Sequence, residues 1–290
     1  MPAVALRWVG MAWACAVALA AHAAAPQPEK VSIASRDGTP LVAWLFRPPD
    51  RAARGSVIAL HGCGGLYAGR DAASGRFTAR HQAMADMLVA EGYNVLWPDS
   101  LKPRGETELC TQRIGSRRID QRQRRADALG ALDWLAAQPW APAGRYAVLG
   151  WSHGGSAVLS ATDATRADVL ARPERFAVAI AFYPGCSAAL KSGWRPDTRV
   201  VMLLGEKDDW TPPQPCTDLA AKTGAEAVVY PGSYHDFDNP LGRVKLRRDV
   251  PNGLHPGEGV HAGPEPDARA AANARVRDTL RTALGGGQPR

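Results

Sequence analysis

Gly150-Trp151-Ser152-His153-Gly154 stands between an apolar run at 146–149 and a stretch of helical spacing that opens near His153. A short apolar run closed by a turn reads as a strand buried on both faces. A serine in the sharp turn from such a strand into a helix is held in a strained conformation that exposes its hydroxyl. Strand and helix backbones can approach closely enough only if small residues stand two before and two after it. Gly150 and Gly154 stand there. The helix that follows points its positive end at the hydroxyl, which favours negative charge developing there. Taken alone, G-x-S-x-G also arises as an ordinary glycine-rich turn, so its meaning depends on its surroundings.

Outward from this turn the alternation of strand and helix repeats. Residues 56–60 form a second short apolar strand ending at His61-Gly62, and 93–97 a third. Between them, 77–91 carries Ala83, Met84, Met87 and Leu88 at helical spacing, with Gly92 as its stop. His81 lies in this helix and is expected at the surface. A long helix is predicted over 119–137, with Ala128, Ala131, Leu132 and Leu135 on one face. Near the start, 31–34 and 41–46 read as a hairpin-like pair around Arg36-Asp37-Gly38. Beyond the central turn, 177–182 and 200–204 are buried strands. A short helix from about Cys216 leads to a strand at 227–230, and a helix over about 267–284 closes the chain. This pattern predicts the α/β class, a mainly parallel sheet flanked by helices on both faces. Residues 238–265 are rich in proline and glycine without periodicity. That length is unusual for a structureless loop, so the segment is expected to cover the site.

In open parallel sheets, chemistry gathers at the carboxyl ends of the strands. Three further polar clusters fall there. His61-Gly62-Cys63-Gly64-Gly65 is a glycine loop whose main-chain N–H groups can face a reacting carbonyl. The expected oxyanion donors are the N–H groups of Cys63 and His153, with Gly64 as the fallback for Cys63. His61 itself comes too early for the triad order and reads as structural. Gly205 to Pro212 contains Asp208 and Asp209, either of which could orient a histidine; Asp209 reads as facing solvent or capping a turn. His235, in Tyr230 to Phe237, is the expected general base, with His255 and His261 as rivals in the irregular segment. The order Ser152, Asp208, His235 suits nucleophilic acyl transfer on a strand–turn–helix scaffold. Trp97, Trp151, Tyr183, Trp210 and Tyr234 lie near strand ends and either line a pocket or belong to the core.

The first residues read as an export signal. Arg7 is followed by an apolar run over 8–20 and then Ala21-His22-Ala23, which fits a small-x-small cleavage site. Cleavage after Ala23 is expected, with Ala25 as the alternative, leaving residues 24–290 as one domain. Removing Arg7 takes the net charge from +7 to +6, a mild and mostly arginine excess. Its densest part, Arg117, Arg118, Arg122, Arg124 and Arg125, is expected on a solvated helix face rather than a nucleic-acid patch. With 46% hydrophobic and 22% charged residues the chain carries a full core and is neither disordered nor fibrous. Cys63, Cys110, Cys186 and Cys216 remain after cleavage; an even count in an exported chain favours disulfides, and no Cys-x-x-Cys metal or redox spacing occurs.

With these clusters in place the chain resembles the dienelactone hydrolase family, from about Val31 to Leu284. The resemblance rests on His61 to Gly65, Asp99-Ser100 with Pro103-Arg104-Gly105, the Ser152 turn, Gly205 to Pro212 and His235-Asp236-Phe237. It implies the α/β-hydrolase fold and hydrolysis of small-molecule carboxylic esters or lactones. Its acid follows Gly-x-x and precedes proline by four, which selects Asp208, and its histidine precedes a phenylalanine by two, which selects His235. Founding members carry a cysteine nucleophile where this chain has Ser152, and a glutamate where it has Gly62. The match is therefore to a serine-bearing, exported branch. Arg104, Trp151 and Trp210 are the expected substrate contacts. On this fold the pairs Cys63–Cys110 and Cys186–Cys216 fall on neighbouring loops and are expected as disulfides. No metal, organic cofactor, nucleic acid or membrane partner is implied, and a periplasmic or secreted location is expected. The same triad also serves peptidases and thioesterases, and the same fold hosts non-catalytic binding proteins.

Overall fold

The computed structural model describes Met1 and residues 28–49, 52–70 and 74–285. Apart from Met1, the expected signal segment lies outside them. In chain order the elements are β1 (Glu29–Ala34), β2 (Pro40–Phe46), β3 (Ser56–Leu60), α1 (Ala79–Ala90), β4 (Asn94–Pro98), α2 (Gln121–Ala136) and β5 (Tyr146–Trp151). Next come α3 (His153–Ala161), α4 (Ala167–Leu170), β6 (Val178–Phe182), α5 (Ser187–Ser192), β7 (Arg199–Gly205), α6 (Gln214–Thr223) and β8 (Glu226–Tyr230). The chain ends with β9 (Lys245–Arg247), β10 (Val260–Ala262) and α7 (Pro266–Leu284).

Eight strands form one sheet in the order β1-β2-β4-β3-β5-β6-β7-β8. The β1–β2 and β2–β4 pairs are antiparallel, and every pair from β4 to β8 is parallel. The inner strands are apolar along their length because both faces are covered. One face packs on α2 and α3, through Leu132, Leu135 and Val158; the other packs on α1 and α7, through Leu88, Val276 and Leu280. The parallel register brings the carboxyl ends of β3, β5, β7 and β8 to one edge, so the four polar clusters share it.

Asp120 starts α2 with a capping box, accepting from Arg122 N while Gln123 reaches back to the Asp120 N–H. Gly130 in the middle of this helix is explained by contact with the sheet. A Cβ there would lie 2.1 Å from Ala34 O. Gly130→Ala raises helix propensity by about 1 kcal/mol yet forces helix and strand apart, and a net loss of about 2 kcal/mol is expected. Urea unfolding of the two proteins measures it, and an alanine protein as stable as the parent would contradict the contact.

Two sequence expectations change here. Arg124 leaves the expected solvated face of α2: it is fully buried, and its guanidinium donates to His61 O at 2.7 Å. Arg125 is held by Asp168 and by Ser160, while Arg118 and Arg122 do face solvent. Residues 238–265 are less irregular than the sequence suggests, because β9 and β10 pair within them. The helices α4 and α5 are too short to show periodicity and were not expected.

Candidate active site

Ser152 sits at the turn from β5 into α3 with φ 52° and ψ −113°, a left-handed conformation that side chains other than glycine rarely adopt. Its N–H donates to Phe182 O at 2.9 Å, which ties the turn to β6. The flanking glycines are required by contact. A Cβ on Gly150 would lie 2.4 Å from Gly154 O, and one on Gly154 would lie 2.1 Å from Leu60 O. The turn therefore fits only where β3, β5 and α3 meet backbone to backbone.

Asp208 lies in the loop after β7 and His235 in the loop after β8. Both are buried, and Asp208 Oδ2 is 2.7 Å from His235 Nδ1. Asp208 is itself fixed: Oδ1 accepts from Trp210 N and Thr211 N, and Oδ2 accepts from Thr211 Oγ1. The His235 ring is flanked by Tyr183 at 4.4 Å and Trp210 at 4.5 Å. With Nδ1 committed to Asp208, Nε2 is the ring nitrogen left to take a proton. It is buried without a hydrogen-bond partner among the described residues, so no bond joins it to Ser152 here. Bonds of this kind often tighten only when substrate is bound.

The loop after β3 lies against the serine turn: a Cβ on Gly62 would meet Trp151 O at 3.4 Å and Ser152 Cβ at 3.7 Å. Among the described residues neither the Cys63 N–H nor the His153 N–H has an acceptor, as oxyanion donors require. Cys63 is bonded to Cys110, its carbonyl accepts from Leu109 N at 2.7 Å, and the second bridge joins Cys186 to Cys216. Closing loops of this size stabilises by about 4 kcal/mol each in a chain-entropy account. His61 is structural: Nδ1 donates to Gly62 O, and Nε2 accepts from Ser100 N.

Several expected site residues lie elsewhere. The Arg104 guanidinium is committed within the protein, to both oxygens of Asp127 and to Asp37, in a partly buried cluster. Trp151 is fully buried, stacked between Trp97 and Phe182, and donates to Asp238 at 2.6 Å. It and Trp97 are core, whereas Trp210 does stay beside His235. Asp209 is partly exposed, and rather than capping the next turn its carboxylate receives His261 N at 2.8 Å and pairs with His261 Nδ1 at 2.7 Å. That pair, the contact of Leu254 N with Asp209 O, and the bridge of Ala262 to His235 bind segment 238–265 to the loops of Asp208 and His235. The segment itself walls a cavity of about 800 Å³ through residues such as Arg243, Lys245 and Arg247, with Asp236 at its margin.

His81 is buried against Trp97 and Trp151, not at the surface as expected, because the face of α1 that carries it packs on the sheet. Burial, with Arg80 nearby, lowers its pKa to about 3. Unfolded, it takes a proton below about 6.5; folded, it stays neutral down to about 3. The unfolded state therefore binds more protons between these values, and stability is lost as the pH is lowered, by about 1.4 kcal/mol per unit there. His81→Phe is expected to remove that slope from urea midpoints measured between pH 6 and 4. An unchanged acid limb would count against it.

With the site described, its relatives can be compared. The dienelactone hydrolase family profile matches residues 48–284. The chain belongs to the dienelactone hydrolase family. Family membership makes it a hydrolase. No curated protein matches it in sequence. Among solved structures, a dienelactone hydrolase-like promiscuous phosphotriesterase from metagenomic libraries superposes with a TM-score of 0.65 at 17% identity, covering 89% of this chain and 99% of that one. Dienelactone hydrolase from Anabaena variabilis gives 0.61 at 20% identity, covering 90% and 99%. Thermogutta terrifontis esterase 2, phosphorylated by paraoxon, gives 0.59 at 18% identity, covering 92% and 97%. At these identities the likeness is one of fold. No described helix is long and apolar enough to cross a membrane.

Asp236, Asp238 and Arg80 crowd the site without having been expected there, together with Tyr183, which the sequence left between pocket wall and core. The only sequence signal was the acidic spacing in His235-Asp236-Phe237-Asp238.

Proposed function

We propose that this member is an exported serine esterase that cleaves small carboxylic esters through an acyl-enzyme. The observation that carries the reading is the buried Asp208–His235 pair, on the strand edge that also bears Ser152 in its strained turn. His235 Nε2 takes the proton of Ser152 as its oxygen attacks the carbonyl carbon. The resulting oxyanion accepts from the N–H groups of Cys63 and His153. His235 returns the proton to the leaving alkoxide, the alcohol departs, and water attacks the acyl-enzyme by the same route. Asp208 holds the imidazolium that forms in each half. Each oxyanion donor is worth about 3 kcal/mol of barrier.

The mature enzyme is read as one domain over 24–290, and the two cysteine bridges support an oxidising compartment. The test is turnover of p-nitrophenyl acetate and butyrate, together with fluorophosphonate labelling followed by peptide mapping. A single adduct on Ser152 is expected. Ester turnover with the adduct elsewhere, or no labelling and no turnover, overturns the reading.

A further inference from the structure

Three described residues other than glycine have positive φ: Ser152 at 52°, Tyr183 at 35° and Asp236 at 64°. Each such residue is held against about 1–3 kcal/mol of strain, so surrounding contacts must over-determine it. One set of contacts touches all three places. Arg80, on α1, donates to Tyr183 Oη at 2.8 Å and pairs with Asp236. Tyr183 Oη donates to Asp238 Oδ1 at 2.5 Å. Asp238 Oδ2 accepts the indole N–H of Trp151, the residue before the serine, at 2.6 Å. Asp236 follows His235 directly, and the Tyr183 ring packs on the His235 ring.

We propose that Arg80, Tyr183, Asp236 and Asp238 are positioning residues, a partly buried ion network that sets Ser152 and His235 relative to each other. This rests on the serine-hydrolase reading above and deepens it.

The energetics favour a geometric role over a stabilising one. Buried ions lose hydration that pairing only partly returns, so an apolar cluster of the same shape would hold the fold at least as well. This network even leaves Arg80 Nε buried without a partner. Its connections are directional in a way apolar packing is not. Burial pushes the Tyr183 hydroxyl well above its ordinary pKa, which keeps it a donor to Asp238. The Tyr183 carbonyl lies 3.0 Å from Thr211 Oγ1, the hydroxyl that donates to Asp208 Oδ2. The network thus reaches all three loops of the proposed triad, and it meets nucleophile and base through their chain neighbours. A misplacement of about 1 Å between reacting groups lowers a rate by about 100-fold.

Tyr183→Phe removes one hydroxyl and keeps the ring; Asp238→Asn removes the charge. The expected result is a loss in kcat of about 10-fold for Tyr183→Phe and about 30-fold for Asp238→Asn, with KM within twofold and slower fluorophosphonate labelling of Ser152 in proportion. The double variant should lose no more than Asp238→Asn alone, since both break one network. Gly130→Ala, a remote destabilised control, should keep its kcat. A kcat within twofold of the parent in folded Tyr183→Phe overturns the proposal, and so do losses that multiply in the double variant. If Asp238→Asn does not fold, Tyr183→Phe alone decides. Failure of the parent to label at Ser152 would sink the hydrolase reading; a labelling parent with equally reactive variants sinks only the network.

Discussion

Ser152→Ala is expected to lower kcat for p-nitrophenyl butyrate by about 10⁵- to 10⁶-fold without lowering the thermal midpoint. The size of the loss follows from the role proposed for the hydroxyl. Without it no acyl-enzyme forms, and the Asp208–His235 pair and the oxyanion donors leave only about 10³- to 10⁴-fold catalysis over water. Stability should hold because the side chain supports nothing else that the structure records; the turn is tied by main-chain bonds to Phe182 O and from Ser156 N. Alanine still carries a Cβ, so the strain at φ 52° persists. Ser152→Gly relieves it and should raise stability by about 1 kcal/mol, or about 2–4 °C, while remaining as inactive. A chromogenic assay with melting curves for the three proteins tests both halves. Residual activity of Ser152→Ala above a few per cent would remove Ser152 from the chemistry. A glycine protein less stable than the alanine one would remove the strain.

For Asp208→Asn a loss of about 10⁴-fold in kcat is expected, and the bonding around Asp208 says why. Oδ1 accepts two main-chain N–H groups, from Trp210 and Thr211. An asparagine must place its carbonyl oxygen there, because its amide nitrogen cannot accept them. The NH₂ group then faces His235 Nδ1 and donates to it. That fixes the tautomer with the proton on Nε2, which can no longer receive one from Ser152. The fold should survive, since the isosteric side chain keeps the loop bonds. Kinetics with circular dichroism check this, and a loss under tenfold in a folded protein would show that His235 chooses its tautomer without Asp208.

What was legible in the sequence was local. The strand-turn-helix around Ser152 can be read from one pentapeptide and its flanks, because backbone contact leaves no alternative to glycine at 150 and 154. The polar clusters are equally local, each a short string after an apolar run, and the parallel sheet then aligns them. The misread residues depend on partners far along the chain. Arg104 meets Asp127 and Asp37 only because α2 and the β1–β2 turn converge on it. Asp209 finds His261 across 52 residues, after segment 238–265 folds back. His81 and Arg124 are charged or polar side chains on helices whose buried faces are wider than their apolar stripes suggest. Trp151 looked like a pocket wall because it adjoins the serine, yet alternation along β5 turns it to the opposite side, into the core.

The strand order has a further meaning for how this molecule loses its competence. Ser152 follows β5, which has neighbours on both sides, whereas His235 follows β8, which pairs only with β7 at the rim of the sheet. Rim elements open at lower free energy than central ones. Fraying of β8 would carry the proposed base away from a proposed nucleophile that stays rigidly in place. The protein can therefore fall silent while most of it remains native, and regain function as the rim closes, without passing through the unfolded state.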